Sequence, residues 1–338
     1  MTLATELKAQ SQNVEFITFK GRGFGDHVRS VGFQSTDVKV RLKIDPLAIA
    51  QIARHIRRNK VEIVHAHLST STVNACLAAR LARVPGLATV HGMSGKLSFV
   101  PCTHLIAVSA EVRQHLVNQG VHESKISIVP NGLQFKGLAP DARAQARRSI
   151  GLPDDVPVLG TTARLTPLKG VDYALSAFAR VLQDFPNAHY IVFGEGDQRA
   201  ELQELATSLG VSSQVHWMGY RHDVPELLPA LDVFVFPTLR EAMGIAVVEA
   251  MAAGIPTVAN AIGGIPEVVV PETGFLVPPA DPVAMADQIT LLLRDGPLRQ
   301  TMGEAAMARA RTEYSAQRMA ARTLGVYAAC LARFNRLT

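Results

Sequence analysis

Two glutamates, Glu241 and Glu249, stand with seven residues between them in the stretch TLREAMGIAVVEAMAAG, residues 238–254. Gly244 predicts a helix start and Gly254, shortly before a proline, predicts its end. The free N–H groups of such a helix start can bind an anion, and the two carboxylates can accept hydrogen bonds from vicinal hydroxyls on either side of it. This arrangement suits a nucleotide diphosphate sugar. The alternative is that Glu241 caps the helix and Glu249 pairs with a cation.

Two cations occur in the stretch ARLTPLKG, which follows the apolar run VPVLGTT. Arg164 and Lys169 lie there, and Gly170 predicts the start of the next helix. Arginine binds phosphate through two parallel hydrogen bonds and lysine acts as a point charge, so the pair suits a diphosphate. The alternative is a pair of surface cations.

Two further glycine-containing loops follow predicted strands. The GEG stretch at residues 194–196 partly matches a dinucleotide-binding loop, but Arg199 stands where the third glycine belongs, so the match is weak evidence for NAD. It still lets a ligand approach the backbone closely. The GGIPE stretch at residues 263–267 allows the same approach, and its alternative is a tight turn with an exposed acid at Glu267.

Histidines end two predicted strands in the first half of the chain. His91 ends LATVH and precedes a glycine, whereas His65 and His67 occur in VHAHLS. A histidine in such a place can act as an acid, a base or a hydrogen-bond donor, although each taken alone is more often structural. No acid or cysteine nearby completes a metal ligand set, and we therefore predict no metal.

The elements that position these residues alternate between short β-branched runs and longer helical stretches. This alternation predicts an α/β protein with two Rossmann-like, doubly wound domains in series that face a cleft. Residues 131–155 contain no strand pattern and one short helix, and we read them as the connection. Ligands bind beyond the carboxyl ends of strands in such sheets. The predicted strands span residues 14–19, 38–42, 61–65, 87–91, 104–109, 126–130, 156–162, 188–194, 214–219, 231–237, 255–260 and 274–277.

The composition indicates a folded protein of about two domains, with 338 residues, 48% hydrophobic and 19% charged. It shows no apolar run of membrane-spanning length and no signal peptide. Three widely spaced cysteines, Cys76, Cys102 and Cys330, indicate buried thiols and a reducing cytoplasm.

The excess of basic over acidic residues favours anionic partners, because it gives a net charge of +5 and a calculated pI of about 9.2. The densest basic cluster is RHIRRNK, residues 54–60. It is read either as a solvated helix face or as a dock for anionic phospholipid.

Taken together, these stretches resemble glycosyltransferase family 4, the retaining enzymes of the GT-B fold. The matching pieces stand in the family's order over nearly the whole chain. They are VHAH, TVHG, AVSA, VPNG, ARLTPLKG, GEG, the glutamate pair and GGIPE.

The resemblance implies roles for the candidate residues. Arg164 and Lys169 would bind the donor diphosphate, Glu249 its ribose and Glu241 the transferred sugar. His91 would contact that sugar on the acceptor side. The remaining implied contacts are backbone amides of Ala242, Met243, Gly244 and Ile245 to sugar and phosphates, Glu195 and Tyr220 near the base, and Asn131 in a hinge.

The resemblance also implies a domain division and a setting. An acceptor-side domain would span residues 1–143, a nucleotide-sugar domain 144–314, and a helix over 315–338 would cross back. The donor would be a UDP-sugar, with GDP and ADP left open, and no metal would be needed for the leaving group. The acceptor would be a saccharide or lipid-linked hydroxyl in surface polysaccharide or lipopolysaccharide assembly, met by loops near residues 20–38 and 92–101. We expect a cytoplasmic protein that does not bind nucleic acid, and peripheral contact with the inner face of the membrane is left open.

The start of the chain departs from the family, which normally opens with a strand and a Gly-rich loop before the helix that resembles residues 1–10. Either the start codon is placed too far downstream or the truncation is real. Other functions stay open as well: a nucleotide-sugar epimerase of the same architecture, a two-lobed sugar-binding protein without catalysis and, least supported, a nicotinamide oxidoreductase.

Overall fold

The computed structural model of the chain describes residues 1–336. The chain divides into two compact units. The first contains Met1–Gln134 and the C-terminal segment from Ala316, and the second is Phe135–Ser315. The predicted division at 143/144 and 314/315 stays a prediction, and its last two residues, 337 and 338, lie outside the described residues.

The first unit contains two parallel sheets. Strands β1 and β2 form one sheet, and β3 to β6 form the other in sequential order. The elements up to the unit boundary are α1 (Thr2–Ala9), β1 (Glu15–Phe19), α2 (Phe24–Ser30), β2 (Gln34–Val38), α3 (Pro46–Arg58), β3 (Val64–His67), α4 (Ser69–Ala82), β4 (Gly86–Val90), β5 (His104–Ala107), α5 (Ala110–Asn118) and β6 (Ile126–Ile128).

The second unit contains one parallel sheet in the order β12-β11-β10-β7-β8-β9. Its elements are α6 (Ala142–Ser149), β7 (Val158–Thr162), α7 (Val171–Asp184), β8 (His189–Phe193), α8 (Arg199–Ser208), β9 (Val215–Gly219), α9 (Val224–Leu227), β10 (Val233–Phe236), α10 (Ile245–Ala252), β11 (Thr257–Asn260), α11 (Ile265–Val268), β12 (Gly274–Val277), α12 (Pro282–Arg294) and α13 (Gly296–Glu313). The chain then returns to the first unit with α14 (Ala316–Asn335).

The central strands form because apolar and small residues occupy both of their faces. Every residue of β4 and of β10 is buried, as expected for parallel strands covered by helices on both sides. The predicted α/β class with parallel sheets is confirmed. None of the helices within residues 1–336 is both long and apolar enough to cross a membrane.

Two sequence assignments in the first unit are wrong. The strand predicted over residues 38–42 lies earlier, as β2, because the polar stretch QSTDV pairs with β1. Consequently the predicted loop over residues 20–38 contains α2 and β2 instead. The chain after β2 bends away because the buried Asp45 accepts a hydrogen bond from the Arg41 N–H at 2.9 Å and caps α3.

Candidate functional site

The strand order of the second unit reverses between β7 and β10. From β7 the chain moves outward to β8 and β9, and it then returns to place β10 on the other side of β7. The loops that leave the carboxyl ends of two such strands run to opposite sides of a sheet and open a crevice, which is where ligands bind in doubly wound sheets. These loops, residues 163–170 and 237–244, contain most of the residues predicted to bind the donor.

The two loops are in direct contact. The backbone N–H of Leu239 donates to the carbonyl of Leu168 at 2.9 Å, and the Thr238 hydroxyl donates to the same carbonyl at 3.2 Å. Gly170 has a φ of +63°, and a side chain there would bring a Cβ within 2.3 Å of the Pro237 carbonyl oxygen. Residue 170 is therefore glycine because the loops could not meet otherwise.

Lys169 and Glu241 form an ion pair across this contact. The Lys169 Nζ lies 2.7 Å from the Glu241 Oε2, and both side chains are about three-quarters buried, with 26% and 20% of their surface exposed. The ammonium also lies 5.9 Å from the ring centre of Phe236, at the end of β10. The structure thus joins a predicted phosphate-binding cation and a predicted sugar-binding acid into one pair.

Asn260, at the end of β11, holds the loop that contains Glu241. Its buried side-chain amide donates to the carbonyls of Pro237 at 2.7 Å and Thr238 at 3.1 Å. A Cβ on residue 263 would lie 1.9 Å from the Glu241 carbonyl oxygen. The GGIPE loop, residues 263–267, therefore also packs against the loop that contains Glu241. Sequence reasoning did not single out Asn260; the available signal was a polar residue at the carboxyl end of a buried strand.

Glu249 is a half-buried carboxylate on α10, with apolar neighbours on both sides in the chain. Burial raises its pKa, and within residues 1–336 no side chain forms an ion pair or hydrogen bond with it. An acid in this position is able to accept hydrogen bonds from ligand hydroxyls, because its oxygen atoms are not already occupied by protein donors.

The start of α10 presents fewer free donors than the sequence predicted. Gly244, at the N-cap with a φ of +86°, sets the turn into the helix, and Ile245 is exposed at its first position. Met243 is buried. The Ala242 N–H already donates to the Glu241 Oε1 at 3.1 Å. The Val247 N–H of the first helical turn donates to the Gly244 carbonyl at 3.0 Å, so the N–H groups before it in the helix are those that can face an anion.

Arg164, Glu195 and Tyr220 lie along the same edge of the sheet. Arg164 is exposed, and it makes no ion pair with the part of the chain that the structure describes. The Leu165 N–H donates to the carbonyl of Glu195 at 2.9 Å, which ties the β7 and β8 loops together. The Glu195 carboxylate pairs with Arg199, and Tyr220 is 71% exposed, next to His222. A base-binding role for Glu195 and Tyr220 stays a prediction.

Three histidines of the first unit form a cluster. His67 Nδ1 lies 3.0 Å from His91 Nε2, and the rings of His65 and His67 stack with centres 4.6 Å apart. His65 is fixed from both sides, by Thr89 Oγ1 at 2.7 Å and by the Tyr327 hydroxyl of α14 at 2.6 Å. The pairing of β3 with β4 thus places His91 beside a second imidazole.

Desolvation keeps this cluster neutral. It lowers the pKa of His65 well below the ordinary histidine value, and it also lowers the pKa of His67 and of His91. The rings of His67 and His91 retain solvent-exposed surface, so the cluster is closed at His65 and open at His91. His91 can therefore donate or accept one hydrogen bond in the neutral form.

No group of three or more His, Cys, Asp or Glu side chains within the described residues is placed to hold a metal ion. Asn131 follows β6, where the neighbouring Gly132 N–H contacts the Met319 sulfur of α14 at 3.1 Å. The hinge role of Asn131 stays a prediction.

Comparison with known protein families gives two matches. The sequence model of the family described as Glycosyltransferase Family 4 matches residues 1–135. That of the family described as Glycosyl transferases group 1 matches residues 142–309. The second match contains both candidate glutamates and both candidate cations.

Individual relatives agree with this result. An uncharacterized glycosyltransferase of Methanocaldococcus jannaschii is 30% identical over 246 residues, which cover 70% of this chain and 63% of the relative. The chain thus spans less than two thirds of that relative. A UDP-Gal:alpha-D-GlcNAc-diphosphoundecaprenol alpha-1,3-galactosyltransferase of Escherichia coli is 29% identical over 262 residues, covering 71% and 68% of the two chains.

A solved structure shares the fold. Anabaena Alr3699/HepE in complex with UDP and glucose is 21% identical, with a TM-score of 0.83 over 97% of this chain and 95% of that one. At this identity the likeness establishes the fold alone.

Proposed function

This chain belongs to the glycosyltransferases, with a Family 4 match followed by a group 1 match, and we propose that it transfers a sugar from a nucleotide diphosphate sugar to a hydroxyl acceptor. The observation that most supports this is the Lys169–Glu241 ion pair at the β7/β10 switch point, with the Glu249 carboxylate, which has no partner within residues 1–336, on the adjoining helix. The pair offers a cation for phosphate and an acid for sugar hydroxyls, and Glu249 offers a second acceptor for ribose hydroxyls.

The proposed reaction breaks the bond between the sugar and the diphosphate. Lys169, Arg164 and the start of α10 stabilise the negative charge that grows on the leaving phosphate. A single positioned donor of this kind contributes about 3 kcal/mol to transition-state stabilisation. Because Lys169 is held 2.7 Å from Glu241, donor binding makes it share its three N–H donors between that carboxylate and the phosphate.

We further propose that the configuration at the sugar is retained. The acceptor hydroxyl attacks from the face that the leaving group vacates, and the departing phosphate oxygen takes its proton. The neutral His91 side chain would contribute a hydrogen bond to the transferred sugar rather than a positive charge, which agrees with its lowered pKa.

The proposed donor is a UDP-sugar and the proposed acceptor is lipid-linked or saccharide. The E. coli relative is named for a UDP-sugar donor and a diphosphoundecaprenol acceptor, and HepE was solved with UDP. We place the reaction in surface polysaccharide or lipopolysaccharide assembly, on the cytoplasmic side of the membrane. The three buried free cysteines are compatible with a reducing compartment.

A ligand-induced shift in thermal unfolding tests the donor site. UDP at a hundred times its dissociation constant should stabilise the protein by about 2.7 kcal/mol, and UDP-sugars should act alike, whereas GDP and ADP should shift the midpoint less. Lys169→Ala should lower kcat with a UDP-sugar by roughly 10²- to 10³-fold.

The matched control is Arg180→Gln, at an exposed position of α7. It should leave both binding and turnover unchanged. A Lys169→Ala protein with near-normal turnover would contradict the proposal, and a product that forms equally without acceptor would indicate epimerisation instead.

A further inference from the structure

A patch of exposed apolar and basic side chains lies in the first unit, on residues that are not part of the proposed donor site. Residues 39–60 contain seven Lys and Arg residues and a single acid, Asp45. The acid is buried and its carboxylate accepts backbone N–H donors, so the exposed charged side chains of this segment are all cationic. The same segment exposes Leu42, Ile44 and Leu47, which are 62%, 56% and 64% exposed.

Hydrogen bonds fix the loop that presents these exposed apolar residues to solvent. Asp45 accepts hydrogen bonds from the N–H groups of Arg41 at 2.9 Å and of Leu47 and Ala48, both at 3.1 Å. The Asp45 N–H donates to the buried Asn74 side chain at 2.9 Å, and Asn74 in turn donates to the Lys43 carbonyl at 2.9 Å. Because the backbone is fixed from inside, the loop cannot turn its leucine and isoleucine side chains into the core.

Helix α3 continues this surface on one side. Leu47, Gln51, Arg54 and Arg58 are exposed, and their spacing places them on a single stripe about 17 Å long. The opposite stripe, which includes Ile52 and Ile56, packs in the core of the first unit. The exposed stripe therefore begins with an apolar residue and ends with arginines.

A groove lies beside the arginine end of the stripe. It has a volume of about 480 Å³ and is lined by Ala50, Ala53, Arg54, Arg57, Arg58 and Leu81. Leu81 belongs to α4 and is 51% exposed. The Arg57 guanidinium donates to the Leu81 carbonyl, and the lining as a whole combines arginines with apolar side chains, which suits a phosphate group attached to an acyl chain.

We propose that this surface, comprising residues 41–47 and the exposed stripe of α3, docks on an anionic lipid bilayer. The arginines contact lipid phosphates, and the side chains of Leu42, Ile44 and Leu47 enter the headgroup region. Charge complementarity selects the anionic membrane, and apolar side chains among the cations distinguish it from a soluble polyanion, which would gain nothing from them. This docking does not depend on the proposed transfer reaction, because it requires neither donor nor acceptor.

Vesicle co-sedimentation of the full-length protein tests the docking. Wild-type protein should sediment with phosphatidylcholine vesicles that contain roughly a third phosphatidylglycerol, and much less with pure phosphatidylcholine. Arg54→Gln with Arg58→Gln should weaken anionic binding about 25-fold, since each cation near such a surface contributes roughly fivefold. Leu42→Ser with Ile44→Ser should weaken it at least tenfold, by removing the apolar contacts.

Matched variants on the second unit provide the controls. Val283→Ser with Leu291→Ser removes two apolar side chains from α12 that are 44% and 42% exposed, and Arg180→Gln with Arg311→Gln removes two exposed cations. Both should bind vesicles like the wild type, and all variants should keep the wild-type unfolding midpoint. The proposal is overturned if wild-type protein does not bind anionic vesicles, or if the control pairs reduce binding as much as the α3 and loop pairs.

Discussion

The carboxylate of Glu249 is desolvated without a compensating partner among the described residues. Burial raises its pKa, which means that the folded protein disfavours the charged form that the proposed ribose contact requires. Lys169 and Glu241 differ in this respect, because each neutralises the other. A donor ligand would therefore supply hydrogen bonds that the described residues do not give Glu249, and the unliganded protein is less stable because of this desolvated carboxylate.

Glu249→Gln should stabilise the unliganded protein at neutral pH and weaken its binding of nucleotide sugar. The unfolded state loses its proton at an ordinary glutamate pKa, roughly 4.3, whereas the folded state loses it at a higher pH. Between these values the folded state binds more protons, so stability falls as pH rises through that window. Glutamine stays neutral, and the variant should exceed the wild type above the window and converge with it below.

Denaturant unfolding at several pH values between 4 and 8 measures this difference. The exposed Glu272→Gln is the control and should follow the wild type throughout. A Glu249→Gln protein that is less stable than the wild type at pH 7.5 would show that the carboxylate has a stabilising partner.

At the scale of elements, strands with apolar residues on both faces were predictable and polar or short ones were not. All six strands of the second unit lie within their predicted ranges, because runs such as VFVF have no other stable placement. Strand β2 was misplaced, because QSTDV has no apolar pattern and pairs only through its neighbour β1. The assignment of β3 was two to three residues early at both ends for a similar reason.

Site assembly depends on strand order, which sequence spacing does not encode. The glutamates and cations were identified from residue type and position after strands. The ion pair between Lys169 and Glu241 was not predicted. These residues are 72 positions apart in the chain, and they come into contact because β10 lies beside β7. Asn260 was missed because its role is to hold a neighbouring loop, and residue type alone does not reveal this.

The strand pair β8–β9 should lose stability when acidified. His189 Nδ1 lies 2.9 Å from His216 Nε2 across these strands, and desolvation lowers the pKa of both. The nearby Arg147 further lowers that of His189. As pH falls below about 6.5 the unfolded state takes up protons that the folded pair resists, so stability declines until the folded pair also titrates.

His216→Asn should flatten the decline in unfolding free energy between pH 7 and pH 5, because one of the two groups no longer titrates. The slope is the quantity to compare, since the substitution also changes packing at every pH. His222→Asn, at an exposed position after β9, is the control and should keep the wild-type slope. Equal slopes for wild type and His216→Asn would contradict the assignment.

At the scale of the whole molecule, two separate segments of the chain form the first unit. The second unit is continuous from Phe135 to Ser315, whereas the first needs α14, which arrives last. Val326 and Cys330 of α14 are buried against Leu87 and Ile106 of β4 and β5. Burial of Cys330 also raises the pKa of its thiol to about 11, which keeps it protonated and unreactive at neutral pH.

Deleting the chain after Ser315 should unfold the first unit and leave the second folded. The deletion uncovers Leu87 and Ile106 and removes the Tyr327 hydroxyl from His65. Losing two or three buried side chains at about 1.5–3 kcal/mol each consumes much of a typical domain stability of 5–15 kcal/mol. The six strands of the second unit pair among themselves, and its core cluster of buried side chains contains no residue of α14, so we expect that core to persist. Hydrogen exchange followed by mass spectrometry should show lost protection in β3 to β6 and wild-type protection in β7, β8 and β10. The full-length Tyr327→Phe variant is the control. It removes only the hydroxyl, so its free energy of unfolding should fall by about 1 kcal/mol and both units should stay protected.

Uniform loss of protection in the deletion variant would mean that the two units unfold as one.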